Sequence, residues 1–255
     1  MYAAERRAAL ALRLEQHGRV SVLDAAGDFG VSGETVRRDL AALERRGIAR
    51  RVHGGAVARS SVQAVELDLL EREARQSPQK QRIAAAAMAF LPAVDGSVII
   101  DAGTSTAALV DALPDEHSLT AVTHGVATAA QLARLGQIDL HVIGGHVRGT
   151  TGAAIGAGTV AAYETVGVDV AFVGANGISV ERGLTTVDFG EAAVKRTIVA
   201  RAARAVVLAD SSKLDADYLV TFAALSAVDV LVTDSDASTE CVARLRESGI
   251  EVVLA

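Results

Sequence analysis

The chain has 255 residues, of which 50% are hydrophobic, 22% charged and 3% aromatic. At about 100–200 residues per domain, this length predicts one large domain or two unequal ones, and the apolar content excludes wholesale disorder. The longest apolar run, residues 83–94, is shorter than the roughly 18 residues that a bilayer span requires, and the N-terminal residues contain no apolar signal core. The single cysteine, Cys241, cannot form a disulfide within the chain. We therefore expect a cytoplasmic protein that does not enter a membrane.

The net charge of −6 is unevenly distributed along the chain. Residues 1–60 contain eleven arginines and seven acidic residues, whereas the remaining residues contain 14 lysines and arginines and 24 acidic residues. Seven of the arginines lie in residues 35–60, where the acidic residues are Asp39 and Glu44. A basic head on an acidic body suggests nucleic acid binding at one end. On charge alone, a solvated basic face explains the pattern equally well.

Residues 1–57 carry the signals of three short helices followed by a β hairpin. The first helix is expected over residues 5–16. The first helix is expected to end near Gly18. Ser21, with Asp24 three residues later, should begin the second helix and Gly30 should end it, whereas Ser32 should begin the third helix and Gly47 should end it. Residues 50–56 follow as a short β run with a glycine turn. This order of elements predicts an N-terminal winged helix-turn-helix domain over residues 1–57.

The third predicted helix has one apolar stripe and one polar face. At about 100° per residue, Val36, Leu40 and Leu43 share a narrow stripe that must face a core. The opposite side and its flanks carry Glu34, Thr35, Arg37, Arg38, Ala41 and Arg45. A recognition helix has this layout, because it packs on its partner helices and presents its first turns to the major groove. Arginine suits this role, since its planar fork donates two hydrogen bonds at once to guanine or phosphate.

The remaining sequence divides into a linker and an α/β domain. Residues 58–79 are interpreted as a linker with one charged helix, over residues 66–75, that ends at Pro78. From residue 80 to 255, apolar strand-like runs at 98–101, 119–123, 140–144, 170–174, 206–210, 230–233 and 251–254 alternate with helical stretches at 104–113, 126–135, 190–203 and 237–248. This alternation predicts a mostly parallel, Rossmann-like sheet covered on both faces. Ligands of such sheets bind at the carboxyl ends of the strands, where this chain has polar and glycine-rich loops.

Two sets of motifs occur in order along the chain. The N-terminal set is Val31–Leu40, Leu43, Glu44, Gly47 and Arg51–Ala56, and the C-terminal set is Asp101–Thr106, Gly144, Gly145, Asp188, Glu191, Lys195 and Ser211–Lys213. With these motifs the chain resembles the DeoR family of bacterial transcription regulators. The resemblance covers nearly the whole chain and implies a sensor domain similar to ribose-5-phosphate isomerase. It also implies double-stranded operator DNA as partner, repression of sugar-catabolism genes, release by a phosphorylated sugar, and a homodimer or homotetramer.

The candidate DNA-contacting residues lie in the third helix and the hairpin. They are Ser32, Glu34, Thr35, Arg37, Arg38, Arg45, Arg51 and His53. The structural alternative for the arginines is pairing within the helix, such as Glu34 with Arg38. His53 is equally compatible with a role in the turn of the hairpin.

The candidate effector-binding residues lie at the predicted strand ends and around the helix at 190–203. They are Asp101, Gly103, Thr104, Ser105, Thr106, Thr123, His124, Gly144, Gly145, Asn176, Asp188, Glu191, Lys195 and Lys213. Backbone N–H groups and hydroxyls at 103–106 suit a sugar phosphate, and Lys213 is a suitable counter-charge. The structural alternatives are helix capping by Thr104, Ser105 or Asp188, bracing of the loop by Asp101, and a surface ion pair between Glu191 and Lys195.

A second functional class, a sugar-phosphate isomerase, remains open at this point. An isomerase needs a carboxylate base, but Asn176 stands where the related proteins have aspartate, so only Asp188 or Glu191 is left for that role. His124 stands where the family usually has asparagine, and it would add a titratable phosphate donor. We expect no cofactor and no metal, since residues 156–161 match a dinucleotide fingerprint in spelling only and the histidines lack metal-ligand spacing.

Overall fold

The computed structural model describes residues 3–45, 48–52, 54–58, 72 and 74–255. The chain divides into two compact units, Met1–Val65 and Glu66–Ala255. No helix in the described ranges has the length and apolar composition required to cross a membrane.

The first unit is a winged helix-turn-helix, as predicted. Its described elements are α1 (Ala3–His17), β1 (Arg19–Ser21), α2 (Val22–Phe29), α3 (Gly33–Arg45), β2 (Ala49–Val52) and β3 (Gly55–Ala58). The strands form an antiparallel sheet in the order β1-β3-β2. The predicted limits of α2 are confirmed, because the Ser21 hydroxyl accepts a hydrogen bond from the backbone of Asp24 and Gly30 ends the helix in a left-handed conformation. The predicted end of α3 at Gly47 lies outside the described residues.

The apolar stripe of α3 forms the centre of this unit. Val36, Leu40 and Leu43 are at most 1% exposed and belong to one cluster with Leu10 and Leu14 of α1. The predicted division of α3 into a buried stripe and a polar face is therefore confirmed.

A buried ion pair also joins α1 to α3. Arg6 Nε lies 2.5 Å from Asp39 Oδ2, and both residues are 7% exposed. Asp39 follows Arg37 and Arg38 directly, so this pair fixes the rotation of α3 about its axis relative to α1 and helps to direct the preceding arginines outward.

The second unit is an α/β domain with short additional strands. Its helices in the described residues are α4 (Ser77–Ala87), α5 (Thr104–Asp111), α6 (Val126–Leu132), α7 (Ala157–Glu164), α8 (Phe189–Arg201) and α9 (Thr239–Glu247). Its strands are β4 (Ser97–Ile100), β5 (Leu119–Thr123), β6 (Ile138–Val142), β7 (His146–Val147), β8 (Ala154–Ile155), β9 (Val168–Gly174), β10 (Gly177–Ser179), β11 (Gly183–Thr186), β12 (Ala202–Leu208), β13 (Val220–Ala223), β14 (Val230–Thr233) and β15 (Glu251–Leu254).

The main sheet confirms the predicted parallel architecture. Within the described residues it has seven strands in the order β15-β14-β12-β9-β4-β5-β6, and every neighbouring pair is parallel. Side chains alternate between two cores along each strand: Ile99 packs in one, whereas Val98 and Ile100 pack in the other. The chain runs from β4 to β5 on one side and reaches β9 on the other, so β4 and β9 form the topological switch point at which such sheets bind ligands.

Several expectations about local structure require correction. Pro78 does not end a helix: it lies in the first turn of α4, where its missing N–H costs no hydrogen bond. The expected linker helix over residues 66–75 falls largely outside the described residues. The antiparallel sheet β10-β11-β13 and helix α7 were not predicted. A two-residue strand, β8, precedes residues 156–161, but it pairs antiparallel with β7, so this segment is not part of a dinucleotide-binding βαβ unit.

Candidate functional site

The polar face of α3 exposes the two arginines that sequence analysis selected. The side chains of Arg37 and Arg38 are 61% and 81% exposed. Each lies near Glu34, with closest N–O distances of 3.4 Å for Arg37 and 3.7 Å for Arg38. Such exposed pairs are worth at most about 1 kcal/mol, so both guanidinium groups can exchange Glu34 for phosphate or a base edge.

The other candidate DNA contacts in the described residues lie at the two ends of α3 and in β2. Ser32 caps α3, because its hydroxyl accepts a hydrogen bond from the backbone N–H of Thr35 at 3.2 Å. Arg45 is the last residue of α3 and Arg51 lies in β2, whereas His53 lies outside the described residues. The first turn of α3 is thus held by its own side chains, and the arginines follow on the next turn.

A polar cleft opens in the second unit where β4 and β9 end. The space within it, together with the open solvent at its mouth, is about 630 Å³. The described residues that line it are Arg72, Arg75, Lys80, Ala102, Gly103, Thr104, Ser105, Thr151, Gly174, Ala175, Asn176, Glu191, Lys195, Leu208, Ala209, Asp210 and Lys213. Seven of the fourteen predicted effector-binding residues are among them. The other seven are Asp101, Thr106, Thr123, His124, Gly144, Gly145 and Asp188.

Asp101 and Lys195 form a buried ion pair beside the cleft. Asp101 is 0% exposed, and one of its carboxylate oxygens accepts hydrogen bonds from Lys195 Nζ and from the backbone N–H of Gly174, the latter at 2.9 Å. Lys195 Nζ also donates to the Gly174 carbonyl at 3.0 Å. These contacts join the ends of β4 and β9 to α8, which agrees with a bracing role for Asp101.

The loop after β4 presents the N-terminus of α5 to the cleft. Gly103 is the N-cap residue and provides no side-chain cap, so the alternative in which Thr104 or Ser105 caps the helix is not observed. The Thr106 hydroxyl donates to the carbonyls of Asp101 and Gly103 at 2.7 and 2.9 Å. Thr106 therefore shapes the loop from inside, while Gly103, Thr104 and Ser105 line the cleft at a helix N-terminus that favours anions.

Glu191 sits in a network that the sequence did not indicate. It is 5% exposed and accepts hydrogen bonds from Arg148 Nη1 at 2.7 Å and from the Thr151 hydroxyl at 2.6 Å. Burial raises the pKa of Glu191, but Lys195, Thr151 and Arg148 together lower it below its usual value. The structural alternative of a surface ion pair between Glu191 and Lys195 is not observed, because both residues are buried and Lys195 pairs with Asp101.

Asp188 caps α8 and does not line the cleft. Its carboxylate accepts a hydrogen bond from the Glu191 backbone N–H at 2.9 Å, which is the capping alternative recognised in the sequence. Arg148 Nε lies 3.6 Å from it. Arg148 thus connects the helix cap to Glu191, and the clue in the sequence was an arginine inside a glycine-rich loop after a strand.

The Gly144-Gly145 pair has a packing explanation. A Cβ atom on Gly145 would lie 2.0 Å from the Thr159 hydroxyl oxygen, and this hydroxyl donates to the Gly144 carbonyl at 2.9 Å. Close approach of the loop to α7 therefore requires glycine at 145. Neither glycine lines the cleft.

Thr123 and His124 lie beneath the cleft and not on its surface. Thr123 donates to the carbonyl of Ile100 at 2.6 Å, and it is fully buried. His124 is 3% exposed, with Nδ1 3.0 Å from the Tyr163 hydroxyl and Nε2 3.6 Å from Asp101 Oδ1. Burial lowers the pKa of His124 to about 4. The expectation of a titratable phosphate donor at 124 is therefore wrong, since this imidazole is neutral near pH 7 and covered.

His124 predicts an acid-dependent loss of stability. The unfolded chain binds a proton at this histidine near pH 6.5, whereas the folded protein does so only near pH 4. Stability is therefore lost as the pH falls below 6.5, by about 2 kcal/mol between pH 7 and 5 from this residue. Urea unfolding of His124→Asn should show a shallower decline over this range. The exposed His141→Asn variant is the matched control, and equal pH profiles for wild type and His124→Asn would contradict the prediction.

Lys213 and Lys80 bring positive charge to one wall of the cleft. Both line it, and Asp210, which lies between β12 and the short 3₁₀ turn Ser211–Lys213, faces them. Burial lowers the pKa of Lys80 to about 8 and also lowers that of Lys213. Sequence analysis did not select Lys80, because this residue was interpreted only as the first residue of the predicted α/β domain.

Two family models match the chain, one on each unit. The model of the DeoR-like helix-turn-helix domain matches residues 6–62, and the model of the DeoR C terminal sensor domain matches residues 75–235. The chain belongs to the DeoR family. The resemblance noted in the sequence is thereby confirmed, and the exposed face of α3 and the cleft lie in the DNA-binding and sensor parts of a DeoR-type regulator.

Two relatives agree with this assignment. The chain is similar to the HTH-type transcriptional regulator FruR of Bacillus subtilis (strain 168), at 34% identity over 94% of each chain. It is also similar to the glycerol-3-phosphate regulon repressor of Escherichia coli (strain K12), at 30% identity over 94% of each chain. Among solved structures, ribose 5-phosphate isomerase A of Methanocaldococcus jannaschii is 17% identical, with a TM-score of 0.41 over 55% of each chain. This DeoR-family chain is a DNA-binding transcriptional regulator.

Proposed function

We propose that this DeoR-family regulator represses carbohydrate-utilisation genes in the cytoplasm and that a phosphorylated sugar releases it from its operator. The observation that carries the effector assignment is the cleft at the β4–β9 switch point. There a helix N-terminus without a side-chain cap lies on one wall and lysines on another. A dianionic phosphate is stabilised by both features.

The acidic groups near the cleft support binding and not catalysis. Asp101 is buried and paired with Lys195, and the pKa of Glu191 is lowered by Lys195, Thr151 and Arg148 despite its burial. A general base for isomerisation works best with a pKa near the operating pH. The cationic neighbours of Glu191 instead hold it ionised, Asp101 is engaged by Lys195, and Asn176 has no acid–base function. The Asn176 amide is suited to bind sugar hydroxyls.

Control of DNA binding requires that effector and operator favour different arrangements of the protein. The effector shifts the equilibrium only by its differential affinity for the two arrangements. We propose that two copies of α3 read successive major grooves in a homodimer or homotetramer, and that ligand in the cleft favours an arrangement in which they no longer fit the operator.

A thermal-shift panel tests the effector proposal. Fructose, tagatose, deoxyribose and glycerol phosphates are compared with the same compounds without phosphate. We expect one phosphorylated compound to raise the midpoint of unfolding, since a ligand at 100 times its Kd stabilises by about 2.7 kcal/mol. The same compound should release operator DNA in a gel-shift assay.

The Lys213→Ala variant provides the control for this panel. Lys213 lines the cleft, so the variant should lose the shift while keeping the unfolding midpoint of the free protein. Absence of a shift with every phosphorylated compound would contradict the effector proposal. A shift that survives in Lys213→Ala would show that the phosphate binds elsewhere.

A further inference from the structure

The chain between the two family matches supplies part of the cleft. The helix-turn-helix match ends at residue 62 and the sensor match begins at residue 75. Arg72 lies outside both matches and Arg75 is the first residue of the second, yet both line the cleft beside Lys80 and Lys213. Sequence analysis interpreted this stretch as a linker with one charged helix.

Lys80 holds the backbone of these two arginines against the sensor unit. Lys80 is 6% exposed, and its Nζ donates hydrogen bonds to the carbonyls of Arg72 and Arg75, the latter at 2.7 Å. The lysine belongs to α4, so these contacts join the connecting segment to the first helix of the sensor unit. Two guanidinium groups are thereby kept at the edge of the cleft.

The net positive charge of the residues that line the cleft favours an anionic ligand. Among the described residues that line the cleft, five are cationic and two are acidic. Asp101 neutralises the charge of Lys195, and Arg148 neutralises the charge of Glu191. Four lining cations remain, namely Arg72, Arg75, Lys80 and Lys213. Asp210 is the one lining acid that remains among the described residues, and it interacts with the two lysines.

The pKa values of Lys80 and Lys213 depend on the neighbouring cations of the cleft. Burial lowers the pKa of Lys80 to about 8, and the positive charges of Lys213, Arg72 and Arg75 act in the same direction. Burial is also the main cause that lowers the pKa of Lys213, with smaller contributions from Arg72 and Arg75, while Asp210 opposes the shift of both lysines. A bound dianion would remove this repulsion and favour the charged form of both lysines.

We propose that Arg72 and Arg75 bind the phosphate of the effector directly, so that the segment joining the two units is part of the effector site. This inference rests on the proposed function and names the residues that distinguish phosphorylated from unphosphorylated sugars. Guanidinium groups suit the task because they donate two parallel hydrogen bonds to phosphate oxygens. The contact also places the ligand on the chain that leads directly to the DNA-binding unit.

The test is calorimetric titration of full-length protein with the compound selected by the panel, with its unphosphorylated parent and with inorganic phosphate. Relative to wild type, the double variant Arg72→Ala/Arg75→Ala should bind the phosphorylated compound about 100-fold more weakly. Its affinity for the unphosphorylated parent should not change. In the absence of effector it should bind operator DNA as wild type does, and it should require a correspondingly higher effector concentration for release.

Two further variants distinguish a specific contact of the arginines with phosphate from a general effect of charge or of changes in the fold. Arg72→Lys/Arg75→Lys keeps the charge but lacks the planar fork, so an intermediate loss of affinity is expected. Arg82→Ala/Arg134→Ala removes the same charge from exposed positions outside the cleft and should bind the ligand as wild type does.

The outcomes distinguish this inference from the proposed function. If Arg72→Ala/Arg75→Ala binds the phosphorylated compound with wild-type affinity while Lys213→Ala loses it, the role of the connecting segment is refuted and the effector proposal stands. An equal loss in the double variant and in Arg82→Ala/Arg134→Ala would also refute it, since general charge would then explain the effect. If wild type binds no phosphorylated compound and no phosphate, both proposals fail.

Discussion

Replacing Arg37 and Arg38 together with alanine is expected to weaken operator binding by at least about 30-fold, since each bidentate arginine contact to a base is worth about 1–3 kcal/mol. Both side chains are more than half exposed on α3, and their contacts with Glu34 are long. Their replacement removes donors from the surface while the buried stripe of Val36, Leu40 and Leu43 keeps the helix in place. Fluorescence anisotropy with a duplex selected by the wild-type protein measures the change.

The salt dependence of binding separates these contacts from general electrostatics. Wild-type affinity should fall steeply with salt, because phosphate contacts release counterions, and the double variant should show a smaller slope. Arg134→Ala/Arg201→Ala removes two exposed charges from the sensor unit and serves as the charge-matched control. A salt-independent wild-type affinity, or equal affinities of wild type and Arg37→Ala/Arg38→Ala, would contradict DNA recognition by α3.

Replacing Lys195 with methionine should destabilise the sensor unit by about 3–5 kcal/mol, the cost typical of a buried charge that loses its partner. Asp101 is 0% exposed and Lys195 is 5% exposed, so water cannot replace the lost ammonium group at the carboxylate. Methionine keeps an unbranched side chain as far as the Cε position and leaves the packing of this part largely intact. Urea unfolding at pH 7 measures the loss.

Two companion variants test whether the charge of Asp101 causes this loss. Asp101→Asn/Lys195→Met removes both charges and should recover part of the lost stability, because no unpaired charge remains in the interior. Arg204→Met breaks the exposed pair with Glu251, whose side chains are 42% and 55% exposed, and should cost less than about 1 kcal/mol. A loss of similar size in Lys195→Met and Arg204→Met would contradict the structural role of the buried pair.

Much of the fold was predictable because its signals are local. Ser21 and Gly30 bound α2 as expected, and the run at 230–233 is β14 to the residue. Capping and hydrophobic periodicity act over a few residues, so they survive without tertiary context. The prediction at Pro78 was wrong because this signal is also local. Proline favours both the first turn of a helix and the position after its end, and only the structure of the following residues decides between the two.

The candidate site was predictable in its location and less so in its contacts. Gly103, Asn176, Glu191, Lys195 and Lys213 were selected as polar residues at strand ends or as family motifs, and all of them line one cleft. His124 and Thr123 follow the same rule in sequence, yet they point beneath the surface. Position after a strand specifies the edge of the sheet, but not whether a side chain faces solvent or core.

The amino-acid sequence by itself determined the DeoR family, the winged head with its outward arginines, and the parallel sheet with a polar carboxyl edge. These features depend on short-range patterns and on the order of elements. Only the tertiary structure decided the ion-pair partners, Lys195 with Asp101 and Arg148 with Glu191, and it alone showed Arg72 and Arg75 at the cleft. Ion pairs across separate elements depend on which groups are buried together, and burial is a property of the packed chain.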